Sequence, residues 1–481
     1  MSVKLFFILF SLFFKSLGTS EPQTAIVLLQ NHHEIRANGG FMGSYAKITK
    51  DPTQGSNSGS RGPTLTERRS DLFEASNQLS LSFQDIYVPD GQIAGHVNPP
   101  TPIQQAFGQG WYKLRDANWD PNFPTSAKTV RWFLEKGDEI NPDLLIAINL
   151  STVEKILKIT GPIDIEPLGI ILESNNISLV LQNNIQENFF PGSTKKKDLI
   201  TGAGQALTEK LSSLNTRQKL KIASLLYQDL TNQEILINST DPKLQAFLEK
   251  KDLAGQLKPT SCKNCLSDTV AIIESNLGSN KANAHVARNT THTISRGPTL
   301  AGATPDIGGA GPLGQKAEGG SNPNENFITH QITIEYTNTS PSKNPNPPHH
   351  HGGDYLNYLR FYLPISATNI QILQGPTQGS DPNRSGSGRG LLDHQIKEGS
   401  YPGNTSSTKH GFQEIGFFHT TPHLSKSTVT ISYQLSIINQ KSYQLSILKQ
   451  PGIGNSPQTI NLFNKTQTTN LQTDYITSNN F

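Results

Sequence analysis

Hydrophobic and polar positions change period along the chain. Between residues 22 and 200, short apolar runs alternate with segments of helical spacing. Thr24–Leu29, Gly43–Thr49, Leu144–Ile148 and Ser178–Leu181 read as strands, and Ser126–Lys136 and Ser151–Ile159 as helices. In the second helix Val153, Ile156, Leu157 and Ile159 form one apolar face, and Ser151 is placed to cap it. TGPIDI (160–165) then turns into a short strand. Leucines at helical spacing predict one or two helices over 198–230, and 241–250 adds another. From residue 327 the period becomes two. ITHQITIEYTN (328–338), LNYLRFYLP (356–364), EIGFFHTTP (414–422) and TVTISYQLSII (428–438) each read as strands. SYQLSI occurs at 432–437 and again at 442–447, a spacing that suits neighbouring strands of a sandwich. The predicted fold is a layered α/β sheet with flanking helices, followed by an all-β sandwich. The predicted boundaries are an α/β domain over 22–290 (helical over 198–250), a flexible linker over 291–326, a sandwich over 327–465 and a tail over 466–481.

Four stretches interrupt these patterns: 51–66, 295–325, 341–353 and 374–408. They are rich in Gly, Ser, Pro, Asn and Thr and read as flexible insertions. SRGPTL (60–65 and 295–300) and PTQGS (52–56 and 376–380) recur between them, without any repeated apolar pattern that would signal a solenoid. At the N-terminus, MSVK precedes LFFILFSLFF (5–14) and then KSLGTS. A basic start, an apolar core and small residues describe a secretory signal peptide or a short anchor over 1–20. As a helix that core is about 15 Å long, roughly half a bilayer. Export from the cytoplasm is therefore expected, with membrane association, if any, through the N-terminus.

Composition narrows the function. The chain has 481 residues, 34% of them hydrophobic, with 40 glycines and 30 prolines. This is lean for one body and suits β-rich domains with long loops. A net charge of +3 gives no field for nucleic acid. The two cysteines, Cys262 and Cys265, form one CxxC. They lack the second pair of a structural zinc site and read as a local disulfide or two free thiols. His349–His351 reads as an incidental polar tract in a proline-rich loop. No nucleophile elbow, P-loop, zinc-protease helix or dinucleotide fingerprint is present.

Three segments carry candidate chemistry. The first, QNHHEIRANGGFMGSY (30–45), follows the apolar run 24–29 and delivers Asn31, Glu34, Arg36, Asn38, Gly39 and Gly40 to a strand end. Adjacent glycines permit positive φ or close approach to a ligand, and an arginine beside exposed amides reads anions. The bland alternative is a turn closed by a Glu34–Arg36 salt bridge. The second, RDANWDPNFP (115–124), offers Arg115, Asp116 and Asp120 as charged groups, or else turn caps and packing aromatics. The third, ESNLGSNKAN (274–283), places Asn280 and Lys281 in an anion nest or in a plain structural turn.

These segments, with LLIAINLSTVEKILKITGPIDI (144–165), ITIEYTNTS (332–340), DYLNYLRFYLP (354–364), GFQEIGFFHTTP (411–422) and LKQPG (448–452), resemble in order the bacterial domain-of-unknown-function 4012 family. The α/β portion is also similar in layout to the LytR–CpsA–Psr phosphotransferases, which attach lipid-linked glycopolymers to the cell wall. That second resemblance implies Arg36, Arg115 and Asp116 as catalytic groups around a polyprenyl pyrophosphate. It further implies Lys195 in a basic run (195–197) and Mg2+ on Asp116 and Asp120. One expected acidic residue is replaced by Asn38, which argues against catalysis. The two function classes are a non-catalytic envelope protein binding glycan or anion, and a phosphotransferase acting on a polyprenyl-pyrophosphate-linked glycan.

Overall fold

The computed structural model describes residues 23–50, 79–108, 110–180, 194–297, 326–343, 352–375, 378–379, 405–438 and 440–481. The N-terminal segment 1–20, His349–His351 and most of the four insertions lie outside the described residues.

Apolar runs that end in turn residues build the first layer. β1 (Gln23–Arg36), β2 (Gly39–Lys50), β3 (Leu79–Asp85), β4 (Leu144–Asn149) and β7 (Ile235–Ser239) form a sheet of order β3-β2-β1-β4-β7. Only β1 and β4 are parallel. β5 (Ile163–Ile165) and β6 (Ile170–Leu172) pair separately. The helices are α1 (Tyr87–Gln92), α2 (Thr101–Phe107), α3 (Phe123–Lys136), α4 (Leu150–Thr160), α5 (Thr194–Ser212), α6 (Thr216–Thr231) and α7 (Pro242–Lys250). α3 buries Ala127, Val130, Phe133 and Leu134 with Ile26, Leu28 and Leu145 of the sheet. Each such side chain contributes about 1.5–3 kcal/mol on burial.

Two local expectations change. Ser151 does not cap α4: the N-cap is Asn149, and the Ser151 hydroxyl donates to Glu234 Oε2 at 3.0 Å. The segment expected as a strand at 178–181 is helical over its described residues, because the 3.6-residue and two-residue periods are indistinguishable in so short an apolar run.

The second unit is built from two facing sheets. One contains β9 (Val286–Arg296), β10 (Phe327–Asn338), β12 (Thr368–Gln374), β13 (Gln378–Gly379), β16 (Ser425–Ser436), β18 (Pro457–Leu462) and β19 (Lys465–Asn470). The other contains β8 (Leu266–Ile273), β11 (Tyr355–Pro364), β14 (Thr405–Lys409), β15 (Phe412–Thr421), β17 (Ser442–Leu448) and β20 (Tyr475–Asn480). Val270, Phe361 and Leu445 of one sheet share a core with Ile332, Val429 and Ile460 of the other.

The expected boundaries shift accordingly. β8 and β9 precede the expected start at 327, yet β8 pairs with β11 and β17, and β9 with β10 and β18. The expected tail supplies β19 and β20. Long connections concealed these partners, because strand pairing across a long insertion leaves no local periodicity. Cys262 and Cys265, just before β8, are disulfide-bonded.

The two SYQLSI copies lie in opposite sheets, in β16 and β17, rather than side by side. Their tyrosines meet on one carboxylate. Tyr433 and Tyr443 donate to the two oxygens of fully buried Asp268, each at 2.6 Å. His330 Nδ1 lies 2.8 Å from Asp268, His292 Nδ1 lies 3.0 Å from His330 Nε2, and Gln458 Oε1 lies 3.1 Å from His292 Nε2. A polar chain of this kind is tolerated in a core because its members satisfy one another.

Candidate functional site

The register of β1 slips between Leu29 and Gln30 and again between Asn31 and Ile35. Such bulges re-aim side chains, and here Arg36 ends in the interior, only 2% exposed. Its guanidinium lies 3.0 Å from Glu34 and 3.8 Å from Asp116, and donates to the carbonyls of Asn276 and Ile35. The Glu34–Arg36 salt bridge anticipated as the bland alternative is present. Arg115 approaches the other oxygen of Asp116 at 3.8 Å, lies 3.2 Å from Asp90, and stacks 5.1 Å from the Tyr87 ring centroid. The two arginines therefore do converge on Asp116. They share three carboxylates, and Asp90 was not anticipated. Burial pushes the Asp116 and Asp90 carboxyls up, against the pull of the arginines.

Asp120 is elsewhere. It accepts from Lys409 at 2.9 Å and from His410 at 2.8 Å, both at the β14–β15 turn of the sandwich. Burial alone would raise its pKa, but the His410 and Lys409 hydrogen bonds outweigh burial and hold it low. Asp116 and Asp120 are thus engaged by different cations. The expected Mg2+ pair is not assembled, and among the described residues no cluster of acidic, His or Cys side chains is arranged to hold a metal ion. The residues present do not fit that ion.

The remaining candidates make local structural contacts, with one bond between the two units at Asn276. Asn38 Nδ2 donates to Pro121 O at 2.9 Å, and Asn118 Nδ2 to Gly40 O at 2.8 Å, lacing the β1–β2 turn to the 114–122 loop. Asn31 Oδ1 accepts from the His33 amide and shapes the bulge. Asn280 donates to Asp354 O and accepts from Asn276, while Asn276 N donates to Ile35 O at 3.0 Å. Lys281 precedes a short 3-10 turn, Ala282–Ala284. Lys195 lies in the first turn of α5, with its side chain outside the described residues.

Gly39 and Gly40 face the protein's own chain rather than a ligand. Gly39 has φ of +123°, and a Cβ there would lie 2.8 Å from Asn149 Oδ1. A Cβ on Gly452, in LKQPG, would lie 2.7 Å from the Gly39 Cα. Gly39→Ala is expected to cost about 1–3 kcal/mol of unfolding free energy, read from the urea midpoint. An unchanged midpoint would show that the turn relaxes freely.

Sequence reasoning missed two further residues here. Gln450 donates to the carbonyls of Arg36 and Glu274 and accepts from the Glu274 amide. Fully buried Arg360 on β11 stacks 4.3 Å over Trp119 and donates to Trp119 O at 3.0 Å. The signal for Arg360 was a lone cation inside the apolar run LNYLRFYLP, and Asp268 in LSDTVAII gave a similar one.

No curated protein matches this chain. Among solved structures, Lin1025 from Listeria innocua shares 12% identity over 51% of this chain and 84% of its own, with a TM-score of 0.27. TagV of B. subtilis shares 14% over 52% and 88%, with a TM-score of 0.27. The protein gbs0355 from Streptococcus agalactiae shares 15% over 50% and 78%, with a TM-score of 0.28. Overlaps this loose align no site residues and say nothing about chemistry. Residues 20–185 match the family described as "Protein of unknown function (DUF4012)". The resembling motifs at 274–283, 332–340, 354–364, 411–422 and 448–452 fall outside that match. The matched segment carries β1, the glycine turn and the Arg115–Asp116 loop, and over these residues the chain is similar to that family.

Proposed function

We propose that this is an exported cell-envelope protein that binds or scaffolds rather than catalyses, with the α/β layer and the sandwich acting as one body. The observation that carries this reading is the pairing of Arg36 and Arg115 with Glu34, Asp90 and Asp116. Two cations set against three carboxylates leave no surplus positive charge, and a pyrophosphate would meet like-charge repulsion there. Only Arg115 keeps some exposure, with its side chain about one-fifth open, so anion binding is confined to its outer side. Export is supported by the apolar core at 5–14 behind a basic start. No helix among the described residues is long and apolar enough to cross a membrane.

The second reading is a phosphotransferase acting on polyprenyl-pyrophosphate-linked glycopolymers. The convergence of both arginines on Asp116 favours it. One assay separates the two. The full chain is incubated with a polyprenyl-pyrophosphate-linked oligosaccharide, with and without magnesium, and release of polyprenyl phosphate is followed. No release is expected in either condition. Release that disappears in Arg115→Ala would establish the phosphotransferase instead.

A further inference from the structure

Beside the Arg115–Asp90 pair, two surface loops present an aromatic ring and a cation together. Trp111 is 50% exposed. The Lys113 ammonium lies 5.3 Å from its ring centroid, and the His96 ring meets it edge-on at 5.5 Å. His96 Nε2 lies 2.7 Å from Asn98 Oδ1, which fixes the imidazole beside the indole. The Tyr112 amide donates to Val97 O at 2.8 Å, fastening the two loops to each other. Below them, Tyr112, Val97, Ile93 and Tyr87 pack against the α/β core, so the ridge stands on a rigid base. Lys113 donates to a backbone carbonyl, Asp90 O at 3.4 Å, and its charge also acts on the Asp90 carboxylate without a direct ion pair.

We propose that this ridge binds a sugar ring carrying one anionic group, a carboxylate or a phosphate, stacked on Trp111 with its charge on Lys113. This deepens the binding reading above and rests on it. The face of an indole is electronegative and attracts the C–H face of a pyranose. Lys113 over the ring, His96 at its edge and Asn98 beside the imidazole supply the few placed polar groups that orient a small ligand. A membrane surface fits less well. The neighbouring apolar side chains turn inward, leaving one ring and no broad apolar face to enter a bilayer. Single-stranded nucleic acid is recognised by successive aromatics along a basic groove, whereas this ridge has one ring and one lysine.

The test uses the full chain and isothermal calorimetry. The probes are a glucuronate-containing tetrasaccharide, a phosphorylated tetrasaccharide, a neutral glucose tetrasaccharide, a single-stranded oligonucleotide and anionic lipid vesicles. Saturable binding of at least one acidic tetrasaccharide is expected, with the neutral one about tenfold weaker. The two acidic arms decide between carboxylate and phosphate. Trp111→Ala should weaken the acidic tetrasaccharide by about tenfold or more, and Lys113→Gln should erase the preference for acidic over neutral. Trp111 is exposed and Lys113 half-buried, so thermal midpoints are measured alongside. If Trp111→Ala proves unstable, Lys113→Gln alone decides through the acidic-to-neutral ratio. Absence of saturable binding by both acidic tetrasaccharides overturns the proposal. So does unchanged affinity in a folded Trp111→Ala, or binding restricted to vesicles or to the oligonucleotide. None of these outcomes bears on release of polyprenyl phosphate, so this proposal and the non-catalytic reading fail separately.

Discussion

Arg36→Ala is expected to lower the unfolding free energy by about 3–5 kcal/mol, because it leaves buried carboxylates without their cation. Glu34 loses its partner at 3.0 Å, and Asp116 keeps only Arg115. The carbonyl of Asn276, on the sandwich side, loses the Arg36 donor as well. Much of the loss comes from stranded charge rather than from the absent contact, so the double variant Arg36→Met with Glu34→Gln should recover part of it. Urea denaturation with a constant m-value reads both numbers. A loss under about 1 kcal/mol would mean that water reaches the cluster and that its burial is overstated.

Acidification should produce a loss of similar size in the sandwich. His292 is pushed down to about 3 by burial and by neighbouring His330, and His419 to about 4 by burial. The unfolded chain, with histidine near 6.5, then binds protons that the folded chain refuses. This contribution to stability is fully present above about pH 6.5 and is lost as the pH falls toward the folded values. Each histidine costs about 1.4 kcal/mol per pH unit within that window. Buried Asp90, Asp116 and Asp474, whose carboxyls are raised chiefly by desolvation, act in the opposite direction at the acid end. Melting temperature should therefore fall steeply between pH 6.5 and pH 4. His419, held between Gln374 and Ser427, can be replaced by Gln to test the slope. Buried His32, also pushed down by desolvation, acts in the same direction, so His419→Gln should reduce the dependence without removing it, and a flat profile in the parent protein would contradict the burial of these imidazoles.

Local periodicity made most single elements legible. Ile26 and Leu28 of β1, Val130 and Leu134 of α3, and the alternation in β10 were readable because each side chain's environment repeats along the chain. Strand partners were less legible. β8 fell inside the expected α/β domain and β9 straddled its end and the expected linker, since nothing in LSDTVAII tells which sheet it joins. The candidate site shows the same division. Arg36, Arg115 and Asp116 were grouped from their order in the chain, but their burial and the third carboxylate, Asp90 in YVPDGQ, depend on packing that spacing does not encode. The glycines were recognised as close-approach positions. That the approaching group is Gly452 rather than a ligand could not be read from Gly39 alone.

The contact between Gly39 and Gly452, with Gln450 holding the Arg36 carbonyl, also bears on how the chain assembles. β1 is not finished at its end until residues 450–452, more than 400 positions later, have emerged. The parallel pairs β8–β17 and β9–β18 impose similar waits. Loop closure over such separations is entropically slow, and non-local pairing dominates the folding barrier. The α/β layer can form early around α3 and β4, but its β1–β2 turn stays open until β17 is laid beside β8. Synthesis halted before residue 449 would therefore yield a chain whose first unit is largely folded and whose second cannot close. Such a chain would present unpaired strand edges to its neighbours.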